Sequence, residues 1–600
     1  MREYSSPLNV ELPTTGNLTD DVVANAADAP GAVVFSRRDG DGTDPAWIDV
    51  TSTEFLADVR EVAKGLVAAG VQIGDRVALI SKTRYEWTVV DYAIWFAGAV
   101  TVPIYETSSA AQIEWILSDS GAVAVVAEGP AHTARIAELR AGLPELNQVW
   151  SLTHNAIEVL RRLGDDISDE ELETRRTTAT PLDLATVIYT SGTTGRPKGC
   201  ELTHGCFMFE LGVAVPELHE LFESDDASTL LFLPLAHVFA RIIQVGAVKA
   251  RVRLGHSSDV KGLLPDMAAF RPTFLLAVPR VFEKVFNTAS QRATSEGRGG
   301  IFDRAAETAI AYSRALERGK VPLGVRARHA VFSRLVYAKL RAALGGRCRY
   351  AVSGGAPLGD RLGHFFRGIG VIVLEGYGLT ETTAAVTVNR PDAIKIGTVG
   401  QPLPGTEVRV AEDGELLFRG GQVFAGYWRN EEATAAVLDR DGWFHTGDVG
   451  EIDEEGFVRI TGRMKEILVT AGGKNVAPSV LEDRVRAHTL VSQCLVVGDG
   501  QPFIAALVTV DPEAFPDWAS AHGKSGDVAA HVDDPDLREE IQGAIDDANA
   551  AVSRAESIRK FVILPDDWTE EAGQLTPGLK LKRNVVVRQH KDEIAALFTA

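Results

Sequence analysis

Short apolar runs alternate with helix-like segments over most of the first 400 residues. The runs read RVALI (76–80), VAVVA (123–127), TVIYT (186–190), TLLFLPL (229–235), TFLLAV (273–278) and VIVLEGYG (371–378). Strands that are apolar along their whole length are typical of sheets covered by helices on both faces. This alternation predicts an α/β protein with largely buried strands. Two polar stretches, 164–178 and 290–300, interrupt it, and we interpret them as surface excursions.

The pattern changes after about residue 400. GTEVRV, GELLFRG, GFVRITGR and EILVTAGG are short strand-like runs separated by turn residues, which predicts a small β-rich subdomain. From about residue 463 a second unit follows, with strand-like EILVT, CLVVGDG and FIAALVTV around helix-like SVLEDRVRAH. Since 600 residues exceed one ordinary core, we expect two domains, 1–462 and 463–600.

The charge balance limits the classes of partner. A formal net charge of −21 argues against nonspecific binding to nucleic acid or anionic membranes as a bulk effect. It leaves room for a local basic groove that holds an anionic ligand. Apolar residues make up 45% and charged residues 24%, as in soluble globular proteins.

The cysteines and the apolar stretches indicate the compartment. Four cysteines in 600 residues argue against a disulfide scaffold and fit a reducing cytoplasm. The most membrane-like stretch, 89–105, is short for a bilayer span and carries Asp91 and Pro103. We interpret it as a buried helix that runs into a strand. The first residues lack the apolar run of a signal peptide.

The stretch VIYTSGTTGRPKGC (187–200) is dense in groups that grip phosphate. Glycines allow close backbone approach, hydroxyls donate hydrogen bonds, and lysine supplies a positive charge. It differs from a P-loop because only two residues separate Gly192 from Gly195 and because Pro197 precedes Lys198. A plain Gly/Ser/Thr turn is the alternative, which the density of donors disfavours. We predict a phosphate loop between a buried strand and a helix that begins near Thr203.

YTSGTTGRPKG resembles the signature loop of the adenylate-forming superfamily, which includes acyl-CoA synthetases, luciferases and peptide-synthetase adenylation domains. The resemblance implies that this loop holds the β- and γ-phosphates of ATP while a carboxylate attacks the α-phosphate. The residues so assigned are Thr190, Ser191, Gly192, Thr193, Thr194, Gly195 and Lys198.

Three more segments resemble family motifs and occur in the family's order. GYGLTET (376–382) resembles the adenine and magnesium segment, VSGGAPLG (352–359) the loop beside adenine and the acyl group, and WFHTGD (443–448) the ribose motif. Each alone is no more than a turn pattern. The resemblance assigns adenine stacking to Tyr377, the α-phosphate to Thr380, Mg²⁺ to Glu381 with Thr190, and the ribose hydroxyls to Asp448. The backbone around the nucleotide is assigned to Gly354, Gly355, Ala356, Gly376 and Gly378.

The C-terminal motifs resemble the family's moving parts. In GRMKEILVTAGGKN (462–475), the resemblance assigns Arg463 to ribose or phosphate and Lys465 to the hinge, where many members carry Asp. It assigns Gly472, Gly473 and Lys474 to the channel for the pantetheine arm of CoA, because a β-carbon would obstruct a narrow passage. An ordinary Gly-Gly hairpin is the alternative.

LTPGLKLKR (575–583) resembles the segment with the adenylation lysine. Many members carry a Gly-Lys pair that this chain lacks. We choose Lys580 as the catalytic lysine beside Thr380 and Glu381, with Lys582 as the other candidate. A solvated basic face is the alternative for either lysine.

The stretch LLFLPLAHVFARI (230–242) points to the acid that is activated. Peptide-synthetase domains carry an aspartate here for the substrate's amino group, whereas this chain has Ala236 and His237. An amino acid would lose its ion-pair partner, so amino acids are disfavoured. His237 resembles the family's aromatic gate to the acyl pocket; a core histidine is the alternative. PTFLLAVPRVFEKV (272–285) resembles long-chain fatty-acid–CoA ligases of the actinobacterial type.

This resemblance runs from about residue 20 to the end of the chain and implies both fold and function. The fold would be α/β, with a large N-terminal domain of stacked mixed sheets with helices, a small β-rich subdomain and a small mobile C-terminal α+β domain. The reaction would join a long-chain fatty acid to CoA through an acyl-AMP, with ATP and CoA as co-substrates and Mg²⁺ as cofactor. We expect a cytoplasmic monomer or homodimer that binds no nucleic acid and touches the inner membrane face transiently.

Two alternatives remain open. A fatty acyl-AMP ligase would hand the acyl group to a carrier protein, although such enzymes carry an insertion that is not evident between Glu381 and Asp448. A nucleotide-binding regulator without turnover would be expected to lack Glu381, Asp448 or the C-terminal lysines, and all are present.

Overall fold

The apolar runs form strands in the computed structural model, which describes residues 1–38, 46–190, 196–258, 262–576 and 580–599. The strands, in chain order, are β1 Glu3–Ser5, β2 Val33–Arg38, β3 Trp47–Thr51, β4 Arg76–Ile80, β5 Val100–Ile104, β6 Ala122–Ala127, β7 Gln148–Ser151, β8 Leu184–Thr190, β9 Lys198–Thr203, β10 Ser228–Leu231, β11 Arg253–His256, β12 Phe274–Ala277, β13 Tyr350–Ser353, β14 Ile372–Tyr377, β15 Thr387–Val388, β16 Gln401–Pro402, β17 Glu407–Val410, β18 Glu415–Arg419, β19 Gly426–Tyr427, β20 Phe444–Ile452, β21 Val458–Arg463, β22 Leu468–Val469, β23 Asn475–Val476, β24 Val491–Val497, β25 Ile504–Val510 and β26 Ile558–Leu564.

Helices separate most of these strands. The α-helices, in chain order, are α1 Asp20–Asp28, α2 Ser52–Ala68, α3 Tyr85–Phe96, α4 Ala110–Ser120, α5 Pro130–Leu139, α6 Ala156–Leu163, α7 Asp169–Arg176, α8 His204–Glu217, α9 His219–Phe222, α10 Val238–Ala250, α11 Leu263–Phe270, α12 Pro279–Ser295, α13 Gly299–Glu317, α14 Leu323–Phe332, α15 Ala338–Ala343, α16 Asp360–Ile369, α17 Glu431–Ala435, α18 Pro478–Arg486, α19 Phe515–Ala521, α20 Pro535–Asn549, α21 Arg583–Gln589 and α22 Lys591–Phe598. None of the described helices is both long enough and apolar enough to cross a bilayer.

Two large mixed sheets organise the N-terminal part of the chain, as predicted. One has nine strands in the order β16-β15-β14-β13-β12-β10-β11-β2-β3, and the other has seven in the order β19-β9-β8-β5-β4-β6-β7. The main hydrophobic core lies between them and includes residues of α2, α3, α8 and α10. Helices α11 to α13, α15 and α16 contribute to a second core on the outer face of the nine-stranded sheet, and α4 and α5 to another on the seven-stranded sheet. The result is a stack of helix and sheet layers.

The small β-rich subdomain is confirmed, with one strand that the sequence did not predict and without the run EILVTAGG, whose strand β22 pairs with β23 instead. Its five strands have the order β1-β17-β18-β20-β21, so that the N-terminal strand β1 pairs with β17. The interpretation of residues 164–178 as an excursion is wrong in part, because they include helix α7. Ser168 caps this helix by accepting a hydrogen bond from the amide of Glu171, and Leu172 is buried.

The last part of the chain has cores of its own. Strands β24, β25 and β26 form a three-stranded sheet. One face packs on α18, α19 and α20, and the other on residues from Trp568 to the final helices. The helix predicted in SVLEDRVRAH is α18, which starts at Pro478.

A fully buried ion pair ties the middle helix layer together. Asp91 on α3 and Arg241 on α10 both have 0% exposure. The Arg241 Nε atom donates to Asp91 Oδ2 at 3.0 Å, and its Nη1 atom donates to Thr186 Oγ1 on β8 at 2.6 Å. The guanidinium also lies 5.6 Å and 5.1 Å from the rings of Trp87 and Trp95. Burial raises the pKa of Asp91, and the adjacent guanidinium opposes that rise.

Replacing Asp91→Asn should destabilise the fold strongly. The substitution leaves the Arg241 charge buried without a counter-ion, which costs about 3–5 kcal/mol. Urea unfolding measures the free-energy change. As a control, Glu3→Gln breaks the exposed Glu3–Arg409 pair and should cost at most about 1 kcal/mol. Equal effects of the two substitutions would contradict this account.

Candidate active site

The predicted phosphate loop connects two paired strands, β8 and β9, so the expectation of a strand followed directly by a helix is wrong; α8 begins only after β9, at His204. Thr190 is the last residue of β8 and pairs in register with Lys198, the first residue of β9. The other predicted loop residues, Ser191, Gly192, Thr193, Thr194 and Gly195, lie outside the described residues. Beyond them, Trp115 Nε1 donates to the carbonyl of Pro197 at 2.8 Å, which fixes the start of β9. The hairpin therefore presents the Thr190 hydroxyl and the Lys198 ammonium side by side.

Tyr427 joins the loop to Glu381, and sequence reasoning missed it. Strand β19 pairs with β9, so that Tyr427 lies opposite Cys200. Its ring lies 4.8 Å from the Lys198 ammonium, and its hydroxyl donates to Glu381 Oε1 at 2.7 Å. Burial and the Glu381 carboxylate raise the pKa of Tyr427, so the phenol remains a hydrogen-bond donor. No local motif marks this tyrosine; only the β9–β19 pairing reveals its position.

Thr380 and Glu381 lie in a tight turn directly after β14. The turn requires glycine at position 378, because a β-carbon there would lie 1.4 Å from the carbonyl oxygen of Ala384. At Gly376 a β-carbon would lie 3.1 Å from the carbonyl oxygen of Thr387. These close approaches fix the backbone that carries the hydroxyl of Thr380 and the carboxylate of Glu381.

The nearly buried Asp448 carboxylate links the two predicted nucleoside segments. It accepts a hydrogen bond from the Tyr377 hydroxyl at 2.5 Å and one from Arg463 Nε at 2.8 Å. Asp448 and Arg463 are register partners on β20 and β21. The structure thus brings together Tyr377, Asp448 and Arg463, which the sequence assigned to adenine, ribose and phosphate.

The Gly-Gly-Ala loop starts where β13 ends. Gly354 is buried against the ring of Phe239, and Gly355 has a φ of +84°, which favours glycine. Ala356 follows on the exposed side of the loop. Phe239 is a second neighbour of the site that the motifs did not indicate.

Lys580 reaches this loop from the C-terminal unit. A β-carbon placed on Gly355 would lie 3.7 Å from Lys580 Cε and 3.9 Å from Nζ. The residue keeps solvent exposure, but the surrounding protein and the Arg463 charge lower the pKa of its ammonium, while Asp448 and Glu381 oppose the change. Lys580 therefore lies within electrostatic range of Arg463, Asp448 and Glu381, which the sequence assigned to the nucleotide and the metal. Lys582, two residues on, stands at the start of α21.

His237 faces the same centre and is half-buried. Its Nδ1 atom accepts the amide hydrogen of Phe239 at 3.1 Å and so caps α10. Burial, with a contribution from the Lys580 charge, lowers the pKa of His237 to about 3, so the imidazole is neutral at physiological pH. The role of His237 as an acyl gate stays a prediction.

Comparisons with known proteins match both parts of the chain. Residues 22–428 match the model of the AMP-binding enzyme family, and residues 465–600 match the AMP-binding enzyme C-terminal domain. The chain belongs to the AMP-binding enzyme family. The long-chain-fatty-acid–CoA ligase FadD15 of Mycobacterium bovis is 52% identical over 606 residues that cover 100% of both chains. The peroxisomal long chain acyl-CoA synthetase 7 of Arabidopsis thaliana is 31% identical over 98% of this chain and 87% of its own.

Solved structures of other proteins share the fold. The anthranilate CoA ligase AuaEII in complex with anthranoyl-AMP superposes with a TM-score of 0.74 at 20% identity, covering 98% of this chain and 99% of that one. A Mycobacterium tuberculosis fatty acyl CoA synthetase gives a TM-score of 0.62 at 23% identity, with 96% and 99% coverage. Identities this low indicate the architecture alone.

In this AMP-binding enzyme, the predicted hinge and channel residues belong to other elements than Lys580. Lys465 occupies the short turn that follows β21. Gly472, Gly473 and Lys474 form the exposed end of the β22–β23 hairpin, where Gly473 has a φ of +76°. Lys474 pairs with Glu556 at 3.5 Å, within the same C-terminal part. The structure therefore holds Lys580 at the site and leaves the glycine hairpin exposed.

Polar contacts hold the C-terminal part of this AMP-binding enzyme against α12 and α16. Arg361 Nη2 donates to the carbonyl of Ala487 at 2.8 Å, and Arg280 Nη2 donates to Ser492 Oγ at 3.2 Å. Lys284 pairs with Glu513 at 3.0 Å. Charged and polar groups of this kind favour a contact that can be broken and remade.

Glu375 adds a titratable group to this contact region. It precedes Gly376 on β14, and its Oε1 atom accepts the amide hydrogen of Leu358 at 3.0 Å. Its side chain is incompletely covered, yet burial, with the carboxylates of Asp360 and Asp483, raises its pKa from 4.5 to about 7. Across the contact, burial raises the pKa of Asp483 to about 6, against the opposing effect of Arg486.

Glu375→Gln should raise the thermal stability at high pH only. Because the folded state raises the pKa of Glu375, its contribution to stability is complete below about pH 4.5 and is lost as the pH rises through about 7. The variant should therefore melt a few degrees above the parent at pH 8 and at the same temperature near pH 4.5. Melting curves at a series of pH values test this, with the exposed Glu454→Gln as control. A difference that does not vary with pH would contradict the assignment.

Proposed function

We propose that the chain is a long-chain fatty-acid–CoA ligase. It activates a fatty acid with ATP to give acyl-AMP and pyrophosphate, and it then transfers the acyl group to CoA, giving acyl-CoA and AMP. The observation that carries this proposal is the convergence of Lys580 with Gly355, His237, Asp448 and Glu381. The 52% identity to a full-length long-chain-fatty-acid–CoA ligase supports a long-chain fatty acid as the substrate and CoA as the acyl acceptor.

In the first step, a carboxylate oxygen bonds to the α-phosphorus of ATP and the bond to the pyrophosphate oxygen breaks. Both reactants are anions, so the main requirement is charge neutralisation at the place where they meet. Lys580 supplies a cation beside the Gly354-Gly355 loop, and Lys198 supplies one at the phosphate loop. Tyr377, Asp448 and Arg463 orient the nucleoside, so positioning accompanies the electrostatic effect.

Glu381 and Thr190 are the residues that would hold a magnesium ion beside the phosphates of ATP. Among the described residues, Glu381 uses only Oε1 in a hydrogen bond, to Tyr427, which leaves its other carboxylate oxygen for a cation. Mg²⁺ in nucleotide sites takes one or two protein ligands and completes its shell with phosphate and water. The bound ion would neutralise phosphate charge. Tyr427 orients the Glu381 carboxylate for this purpose.

The second step requires CoA to reach the acyl-AMP. We propose that the domain boundary lies between residues 462 and 463 and that residues 463–600 rotate about Lys465 between the steps. Rotation would withdraw Lys580 and bring Gly472, Gly473 and Lys474 to line the pantetheine channel. The exposure of this hairpin and the polar contact with α12 support such a motion.

The acid would be a fatty acid. Among the described residues, His237 is neutral and has Phe239 beside it, and neither side chain can pair with the charged amino group of an amino acid. A lipid substrate of this kind brings the enzyme into transient contact with a membrane surface. A fatty acyl-AMP ligase is less well supported, because the relatives matched over their full length are named as CoA ligases.

The Lys580→Ala variant should lose adenylation and keep the second step. Without the ammonium, the attacking carboxylate and the α-phosphate repel each other, and pyrophosphate exchange should fall by at least about a hundred-fold. Conversion of supplied acyl-AMP to acyl-CoA should remain within a few-fold of the parent. Lys582→Ala is the matched control and should keep both activities. An equal loss of both half-reactions in Lys580→Ala would contradict the role of Lys580.

Product analysis tests the reaction itself. With ATP, CoA and a panel of short to very long fatty acids, we expect acyl-CoA and AMP in equal amounts, with the highest kcat/KM for long chains. Mass spectrometry of the products separates this outcome from the two alternatives. Accumulation of free acyl-AMP in the presence of CoA would favour the acyl-AMP ligase. ATP–pyrophosphate exchange that does not depend on any carboxylic acid would favour the regulator.

A further inference from the structure

A basic surface stands out on this acidic protein. Residues 318–349 contain nine Lys and Arg residues and no Asp or Glu, in a chain whose net charge is −21. Helix α14, a π-helical turn at Ser333–Tyr337 and helix α15 occupy most of this segment. We call their solvent-facing side the basic helical face. It consists of Leu323, Arg326, Arg328, Val331, Arg334, Leu335 and Lys339.

The inner side of the same segment is firmly attached to the protein. The ring of His329 stacks on Tyr312 with 3.8 Å between centroids, and its Nε2 atom is 2.7 Å from the carbonyl oxygen of Gly368. Phe332, Val336 and Tyr337 pack in the core on the outer face of the nine-stranded sheet. The basic helical face is therefore the outer side of an ordered structural element.

The outer side carries large apolar side chains in water. Helix α14 has no buried residue among those described. Leu323 is 83% exposed, Leu335 is 59% exposed and Val331 is 56% exposed. Single exposed leucines are ordinary, but three large aliphatic side chains on one short helical stretch form an apolar strip that lacks a partner here.

The basic side chains on this face lack acidic partners among the described residues. Among the described residues, Arg326, Arg328, Arg334 and Lys339 form no ion pair, whereas Arg347, in the same segment, pairs with Asp226. Arg341 likewise donates to the carbonyl of Ile369 at 2.7 Å. The four cations of the face thus create a local positive field on a negative molecule.

We propose that the basic helical face docks on the surface of a bilayer that contains anionic phospholipids. Aliphatic side chains between arginines are the pattern of a helix that lies in the headgroup region, since the cations meet lipid phosphates and the aliphatic groups enter the acyl boundary. An acidic protein would satisfy the charges but offers less to the apolar strip. The purpose of docking rests on the proposed function, because a bilayer dissolves long-chain fatty acids.

The basic helical face is also close in sequence to the candidate site. Only residues 344–349 separate α15 from β13, which ends beside Gly354.

Vesicle flotation with the full chain tests this inference. The probes are vesicles of phosphatidylcholine alone and vesicles with added phosphatidylglycerol. The first variant, Arg326→Gln/Arg328→Gln/Arg334→Gln, removes three charges from the face. Its matched control, Arg440→Gln/Arg554→Gln/Arg588→Gln, removes three exposed arginines elsewhere. A second variant, Leu323→Ser/Leu335→Ser, removes apolar area at constant charge.

The parent should bind the phosphatidylglycerol vesicles and release them at high salt. Each basic side chain at an anionic surface changes partitioning about five-fold. The triple arginine variant should therefore bind on the order of a hundred-fold more weakly, whereas the control should lose little. The Leu→Ser variant should also bind more weakly. All variants should keep the activity of the parent on a short, fully soluble fatty acid, which shows that they are folded.

Several outcomes would overturn the inference. These are equal binding to both kinds of vesicle, parent-like binding by the triple arginine variant, and equal loss of binding in the control. A fourth result would also overturn it: the parent does not bind vesicles, and the triple arginine variant no longer transfers the acyl group to an acidic carrier protein. The face would then be a protein-docking surface. Vesicle binding needs no turnover, so a failure of the proposed ligase activity would be seen separately.

Discussion

The buried Asp91–Arg241 pair is the interaction on which the arrangement of the site depends. It joins α3 to α10 between the two large sheets, and Arg241 also holds β8 through Thr186. Helix α10 begins directly after His237, and β8 ends at Thr190. His237, the predicted acyl gate, and Thr190, from the predicted phosphate loop, thus lie at the ends of elements joined at one charged centre. Desolvating two charges is costly, so such a pair specifies one arrangement of its three elements more than it adds stability.

The site is an arrangement of balanced charges. Asp448 and Glu381 oppose the lowering of the Lys580 pKa, while Arg463 adds to it. Neutral groups complete the set, since His237 is held uncharged and Tyr427 remains a phenol. A fatty acid and ATP are both anionic, so a centre with cations at two edges and ordered donors between them suits their encounter. Because Lys580 comes from the C-terminal part, the centre is complete only while the polar contact with α12 and α16 lasts.

Positive and negative charge are distributed unevenly over the surface of the protein. Most of the chain is acidic, which disfavours unspecific contact with nucleic acid and membranes. The basic helical face is a local exception that lies on the outer side of the nine-stranded sheet. The apolar side chains on the opposite side of the same segment pack into the core, so the basic residues on the outer side do not disturb the packing. In the proposed docking, this division of charge would direct the basic helical face toward an anionic bilayer and keep the acidic remainder of the protein away from it.

Local sequence determined the elements and the family. The strands at 76–80, 122–127 and 184–190 follow from apolar runs, because a strand that is buried on both faces consists almost entirely of apolar residues. The motifs around Thr190, Glu381, Asp448 and Lys580 followed from contiguous residues. Asp91 was visible as a charge in an apolar stretch, but its partner Arg241 was not, because 150 residues separate them.

Only the tertiary structure decided which distant residues meet. Tyr427 reaches Glu381 because β19 pairs with β9. The pKa of Glu375 is raised chiefly by burial, with smaller effects of the Asp360 and Asp483 carboxylates. The sequence favoured Lys580 over Lys582, and the position of the Lys580 side chain beside Gly355 became visible only in the structure. The exposure of Leu323, Val331 and Leu335 was equally hidden, since a sequence shows the apolar side chains of a helix but not which of them the core leaves uncovered. Sequence records local preference and family motifs, whereas burial, pKa and long-range contacts arise only when the layers pack.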